Sequence, residues 1–129
     1  MDFRLTDEQT MLRDAVRDFA QQEIAPRARE VDETATFPAD TFRKMGELGF
    51  LGLPYPEEYG GAGADTVSYA LAVAEISKAC GSTGLSYAAH VSLGCAPFYL
   101  FGSETQKQQY LTHLASGKGL GAFGLTEPQ

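Results

Sequence analysis

Charge is what the second half of this chain lacks. From Ala79 to Ser103 the sequence runs ACGSTGLSYAAHVSLGCAPFYLFGS, without an acid, lysine or arginine, and of the 10 basic and 17 acidic residues only seven lie beyond Glu58. A surface so poor in solvating groups needs a covering, either as core or as an interface. A membrane span is excluded, because it takes about 20 mainly apolar residues, and Gly81, Ser82, Thr83, Ser86, His90, Ser92, Gly94 and Pro97 interrupt the run. Basic residues are scarce too: a net charge of −7 leaves no patch to attract nucleic-acid phosphates or an anionic membrane. Cysteine is limited to Cys80 and Cys95, too few for a disulfide framework and wrongly spaced for zinc, so both read as buried free thiols in a reducing compartment. The opening MDFRLTDEQ carries acids early and has no apolar signal core. Neither a secretory signal nor a transit peptide is expected, and the expected location is cytoplasmic. No cluster of histidines, cysteines and acids has metal-ligand spacing.

What is present is helical periodicity. Leu85, Ala88, Ala89, Ser92, Leu93 and Ala96 recur at i, i+3, i+4, i+7 spacing while their neighbours are small or uncharged. This predicts a helix buried nearly all round, capped by Ser82 or Thr83 and ending near Gly102, at the centre of a helical bundle. Upstream, Thr6 and Gln9 form a capping box for a helix with Leu12, Ala15, Val16, Phe19, Ala20 and Ile24 on its apolar side. Pro26 ends that helix and opens a short second one through Arg29 to Asp32. A third follows Pro38, with Phe42, Met45, Leu48 and Gly49 on one side.

GFLGLPYPEEYGGAGAD reads as a turn-rich connection anchored by Phe50, Leu51 and Leu53; Asp65 at its end would repel a phosphate. Asp65 or Thr66 caps the next helix, whose expected apolar face is Val67, Tyr69, Ala70, Val73, Ala74 and Ile76, with Glu75 and Lys78 paired on its exposed side. A last helix begins at Ser103 or Glu104, buries Tyr110, Leu111, Leu114 and Ala115, and stops at Gly117. GLGAFGLTEPQ then reads as a strand. The expected organisation is an all-α helical domain over residues 1–118, followed at 119–129 by the start of a β domain that the chain does not complete.

Gly119, Gly121 and Gly124 spell G-x-G-x-x-G, the dinucleotide fingerprint. That motif needs a strand before it, a helix after it and an acid about 20 residues on, whereas here a helix precedes and five residues follow. Tyr87 and Tyr99 could each offer a hydroxyl to a ligand or simply satisfy it in the core. His90, on an apolar helix with no partner acid or thiol identifiable from sequence, reads as a hydrogen-bonded core histidine, and His113 as solvated.

Read together, GFLGLPYPEEYGGAGAD, GLSYAAHVSLG, GSETQKQQYL and AFGLTEPQ occur in the order and spacing of the acyl-CoA dehydrogenase family. The chain resembles that family's N-terminal helical domain along essentially its whole length, and the GLSYAAH run is most similar to the short- and branched-chain branch, notably isovaleryl-CoA dehydrogenase. The resemblance implies an FAD enzyme that oxidises an acyl-CoA at its α and β carbons, hands its electrons to an electron-transfer flavoprotein and assembles as a homotetramer. It also implies that Phe123, Leu125 and Thr126 border the flavin, and that Leu85, Ser86, Ala89, His90 and Leu93 border the acyl tail. The family's catalytic glutamate belongs to a C-terminal domain, so no catalytic residue is expected in this chain, and the 129 residues alone are expected to be inactive. Gly84, where relatives acting on dicarboxylic substrates carry an arginine, disfavours such a substrate. Two rivals share some of these features: an acyl-CoA oxidase or nitroalkane-oxidase relative, and a stand-alone helical interaction module.

Overall fold

The computed structural model describes residues 3–128. It is all-α. Helix α1 (Asp7–Phe19) starts at the expected capping box: the Gln9 N–H donates to Thr6 Oγ1 at 3.1 Å, and the Thr6 N–H donates to Gln9 Oε1 at 3.0 Å. It widens into a π-helical turn over Ala20–Ile24 and a 3₁₀ turn over Ala25–Arg27, where proline suits a first turn. Val16, Phe19, Ala20 and Ile24 enter the core, but Ala15 does not. Helix α2 (Ala28–Thr34) ends on Ala35, whose φ of 51° is left-handed.

Helix α3 (Ala39–Glu47) buries Thr41, Phe42 and Met45, whereas Leu48, expected beside them, is 55% exposed. Gly49 turns the chain at φ 77°, and Phe50, Leu51, Leu53, Tyr55 and Tyr59 then plug the core from the irregular connection. Helix α4 (Thr66–Ala79) begins where Asp65 Oδ1 accepts the Ser68 N–H at 2.7 Å.

The apolar face expected for α4 holds in half: Ile76 is buried and Tyr69 and Val73 pack against the core, but Val67, Ala70 and Ala74 lie outside, and Ser68, Ala72 and Glu75 enter in their place. With almost no charge on either side of α4, hydrophobic spacing chooses the inward side only in part. Glu75 faces inward because α1 packs on α4 and supplies Arg17 as its partner.

Helix α5 (Gly81–Ala89) continues through a π-helical turn, His90–Cys95, into α6 (Ala96–Phe101). Its N-cap is Cys80, not Ser82 or Thr83. The element is central, as expected, but it is not buried all round. Thr83, Gly84, Tyr87, His90, Val91, Gly94 and Cys95 face in, while Leu85, Ser92, Leu93, Leu100 and Phe101 face out. The leucine stripe that announced the helix therefore contributes to its outer surface. Absence of charge does not mean burial here: the inner face is built mostly from small residues with Tyr87, His90 and Val91, and the Tyr87 hydroxyl donates to the Phe50 carbonyl at 3.1 Å.

Helix α7 (Glu104–Gln106) opens on a second capping box, in which the Gln106 N–H donates to Ser103 Oγ and the Ser103 N–H to Gln106 Oε1. A π-helical turn (Lys107–Leu111) leads to α8 (Thr112–Ala115); Leu111 and Ala115 are buried, Tyr110 is 44% exposed, and Gly117 stops the helix at φ 76°. The strand expected within 119–129 does not form over the described residues 119–128, where no ladder partner lies beside it, and a lone strand leaves its amides unpaired.

Candidate functional site

The outer surface of α5 and the π-helical turn carries most of the expected tail-lining residues. Leu85 is 72% exposed and Leu93 49%, with Ala89 half-buried between them. Ser86 is half-buried and turns toward α2, where with Ser82, Thr83, Val31, Phe37 and Pro38 it lines a cleft of about 350 Å³. Apolar side chains left in water at this density mark a surface that meets something apolar.

His90 parts company with the other four. It is 1% exposed, on the inner side of the helix, and the Gly121 N–H donates to its Nδ1 at 3.0 Å. An accepting Nδ1 carries no proton, so the ring is neutral with its hydrogen on Nε2, which lies 3.6 Å from Cys95 Sγ. Burial holds its pKa below the usual histidine range, against the opposing pull of the Leu51 and Leu114 carbonyls. Burial likewise pushes the Cys95 thiol up to about 12, so it stays protonated. Neither group is placed to act as a base. Tyr87 is fully buried with its hydroxyl committed to Phe50, and Tyr99 stacks edge-on against Tyr55 with Lys107 Nζ over its ring.

Beyond Gly121 the chain changes character. Phe123 and Leu125 are 53% and 78% exposed, Thr126 is exposed, and no hydrogen bond among the described residues engages 122–128. This segment offers open amides, one hydroxyl and two apolar side chains to whatever is brought against it. What sequence reasoning missed is how it is anchored. The signal was present in Gly94, a glycine inside a helix, and in the Gly119–Gly121 pair, because a glycine at such positions often marks close backbone approach.

Among the described residues no group of histidines, cysteines and acids could hold a metal, and no helix is long and apolar enough to cross a membrane. Residues 6–118 match the family model described as acyl-CoA dehydrogenase, N-terminal domain. The chain belongs to the acyl-CoA dehydrogenase family. The likeness found in sequence thus holds for the family and for its all-α N-terminal domain, and a stand-alone interaction module is set aside.

Among relatives of this acyl-CoA dehydrogenase domain, the probable acyl-CoA dehydrogenase YngJ of Bacillus subtilis is 67% identical over 99% of the chain and 34% of its own length. The short-chain specific acyl-CoA dehydrogenase of Clostridium acetobutylicum is 52% identical, with the same coverage of each. Of solved structures, one concerned with the electron transferring flavoprotein of Acidaminococcus fermentans and flavin-based electron bifurcation superposes with a TM-score of 0.95 at 49% identity, over 99% of this chain and 34% of that one. An acyl-CoA dehydrogenase complexed with FAD from Bacillus anthracis gives 0.89 at 40% identity, over 96% and 21%. The chain spans about a third of the length of the curated relatives it matches.

Proposed function

We propose that this domain forms one wall of the acyl pocket and one edge of the flavin site in an FAD-dependent dehydrogenase of short-chain acyl-CoA thioesters. The observation that carries the reading is the apolar outer side of α5, with Leu85 and Leu93 left in solvent, on a chain whose residues 6–118 match that family's N-terminal domain. A wall of Leu85, Ala89 and Leu93 binds an alkyl chain by removing it from water, about 0.8 kcal/mol per methylene. Ser86 adds a small polar edge toward the α2 cleft. His90 acts from behind this wall, not on its surface. Of the short- and branched-chain substrates that the GLSYAAH run suggests, the short-chain specific relative supports the short chain.

FAD, when bound, supplies the acceptor for a hydride. Phe123, Leu125 and Thr126 would hold its ring edge, the two apolar side chains against the ring and the Thr126 hydroxyl hydrogen-bonded to its polar end; their exposure and unpaired backbone fit that role. Glu75, the buried acid among the described residues, is not placed to serve as the base that removes the α-proton. Glu75 is locked between Arg17 and Lys78 and held down to about 2, which makes it a poor proton acceptor at neutral pH. On this reading, which rests on the family's N-terminal domain match, the base comes from another part of the enzyme and residues 1–129 alone do not turn over acyl-CoA. Electron-transfer flavoprotein as the oxidant draws support from the Acidaminococcus likeness, and assembly as a homotetramer from the exposed Leu100 and Phe101.

The test is the visible spectrum of the full-length protein. A bound flavin band that bleaches with butyryl-CoA, and more slowly with isovaleryl-CoA, is the expected result. A protein that binds no flavin, or whose flavin no acyl-CoA bleaches, overturns the reading, and one whose reduced flavin is reoxidised rapidly by oxygen points to the oxidase relative instead.

A further inference from the structure

The G-x-G pair at Gly119 and Gly121 has no nucleotide-binding context, yet the structure gives both glycines work where the chain leaves the bundle. A Cβ on Gly119 would stand 2.7 Å from His113 Nε2. A Cβ on Gly121 would stand 2.7 Å from Gly94 Cα, and one on Gly94 would stand 2.6 Å from both Cα and C of Gly121. The two backbones thus touch at a spot where neither can carry a side chain. On the same side, the Gly121 N–H donates to His90 Nδ1 at 3.0 Å. The π-helical turn over His90–Cys95 makes this possible, because its wider winding brings residues five apart toward one side, and His90, Gly94 and Cys95 all face in.

We propose that His90, with Gly94 beside it, is the positioning residue that grips the backbone at Gly121 and so sets the register of the flavin-facing segment Phe123–Thr126. An imidazole enclosed to 1% exposure is costly to bury without partners, and the Gly121 N–H meets that cost at its acceptor nitrogen, which an apolar side chain could not offer. Gly121 is also the last described residue whose backbone is hydrogen-bonded. Only its anchoring fixes the direction in which Phe123, Leu125 and Thr126 leave the bundle. Their pre-set direction would lower the ordering cost of binding a flavin edge.

This role rests on the flavin reading above, and the experiment separates the two. In the full-length protein, His90→Asn keeps a side-chain oxygen near the place of Nδ1. His90→Gln carries its amide to the place of Nε2 and leaves Gly121 without an acceptor. H90Q is expected to raise hydrogen exchange of the peptide carrying Gly121 about tenfold and to weaken FAD binding about tenfold, while H90N stays within about threefold of wild type in both. Gly94→Ala, which wedges a methyl group between the two backbones with the imidazole intact, is expected to weaken FAD binding like H90Q. It carries the comparison if H90Q does not fold. Unchanged exchange at Gly121 in H90Q overturns the grip. Equal losses in H90N and H90Q also overturn it, because a role in filling space would not distinguish them. Normal FAD affinity in variants whose Gly121 has been released overturns the positioning role and leaves the flavin reading standing; a wild-type protein without flavin overturns both.

Discussion

The Arg17 guanidinium on α1 donates twice to the Glu75 carboxylate on α4, Nε to Oε2 at 3.1 Å and Nη2 to Oε1 at 3.2 Å, and Glu75 is only 5% exposed. Lys78 Nζ adds a third hydrogen bond, to Oε1 at 2.8 Å. The two Arg17 bonds tie α1 to α4, and Lys78, three residues along α4 itself, completes the pairing of a buried charge that apolar packing alone would leave unmatched.

Arg17 first, then Lys78, holds the Glu75 carboxyl down from its ordinary 4.5 to about 2, against burial pushing the other way. A carboxyl with a depressed folded-state pKa gives stability that is fully present above about 4.5 and is lost as pH falls toward 2. Urea midpoints measured across that window should fall with pH in the wild-type chain. In Glu75→Gln, which has no carboxylate to protonate, the profile should be flatter over the same range. An equal slope in both would show that other carboxyls carry the acid sensitivity.

Ala35 ends α2 at φ 51°, a left-handed conformation that costs an L-residue about 1–2 kcal/mol. Ala35→Gly relieves that strain at an entropic cost of about 0.5–1 kcal/mol. The strain is the larger quantity, so the substitution should stabilise the chain by about 0.5–1 kcal/mol, read as a higher denaturation midpoint. A lower midpoint would mean that the entropic term wins.

The contrast between these two sites explains what could be read from sequence. Helix starts set by a local device were legible to within a residue: Thr6 with Gln9 outright, and Asp65 over Ser68 and Ser103 with Gln106 as one of two adjacent candidates each, because all depend on residues three apart. Inside and outside were only partly legible for α4, where Ile76, Tyr69 and Val73 meet the core as expected, and poorly for α5, because neither has a strongly charged side to oppose an apolar one, and Val67 and Leu85 look like core by composition. The inward turn of Glu75 depends on Arg17, 58 residues earlier, and the role of His90 on Gly121, 31 residues later. No periodicity encodes a partner at such a distance. For the candidate site, the resemblance supplied the segment around Thr126 and the stretch around Leu85, but only coordinates separate His90 from its neighbours on the outer wall.

Tyr87 is fully buried with its hydroxyl on the Phe50 carbonyl at 3.1 Å. In Tyr87→Phe that carbonyl keeps the Leu53 N–H at 3.4 Å, so it is not left wholly unpaired. The cost should therefore sit at the low end for a buried hydrogen bond, about 1 kcal/mol by chemical denaturation. A loss of 3 kcal/mol or more, about the size expected for deleting a core side chain, would show that the hydroxyl does more than hold the 50–53 turn.

Leu93 and Leu111 test whether the outer side of the central helix is surface for binding or core in disguise. Leu111 is fully buried, and Leu111→Ala should cost about 2–5 kcal/mol through lost burial and the cavity left behind. Leu93 is 49% exposed, and Leu93→Asp should change stability far less, within about 1 kcal/mol, since its carboxylate can stay in water. In the full-length enzyme the order should reverse. Asp at 93 would place a charge on the wall proposed for the alkyl tail, where a bound substrate displaces water. KM for butyryl-CoA should then rise about tenfold or more, because an acid brought against an apolar chain must be desolvated or exclude the chain. Thermal unfolding and steady-state kinetics on both variants make the comparison. If L93D unfolds as readily as L111A, the outer side is structural, and if it folds normally and leaves KM untouched, the tail lies elsewhere.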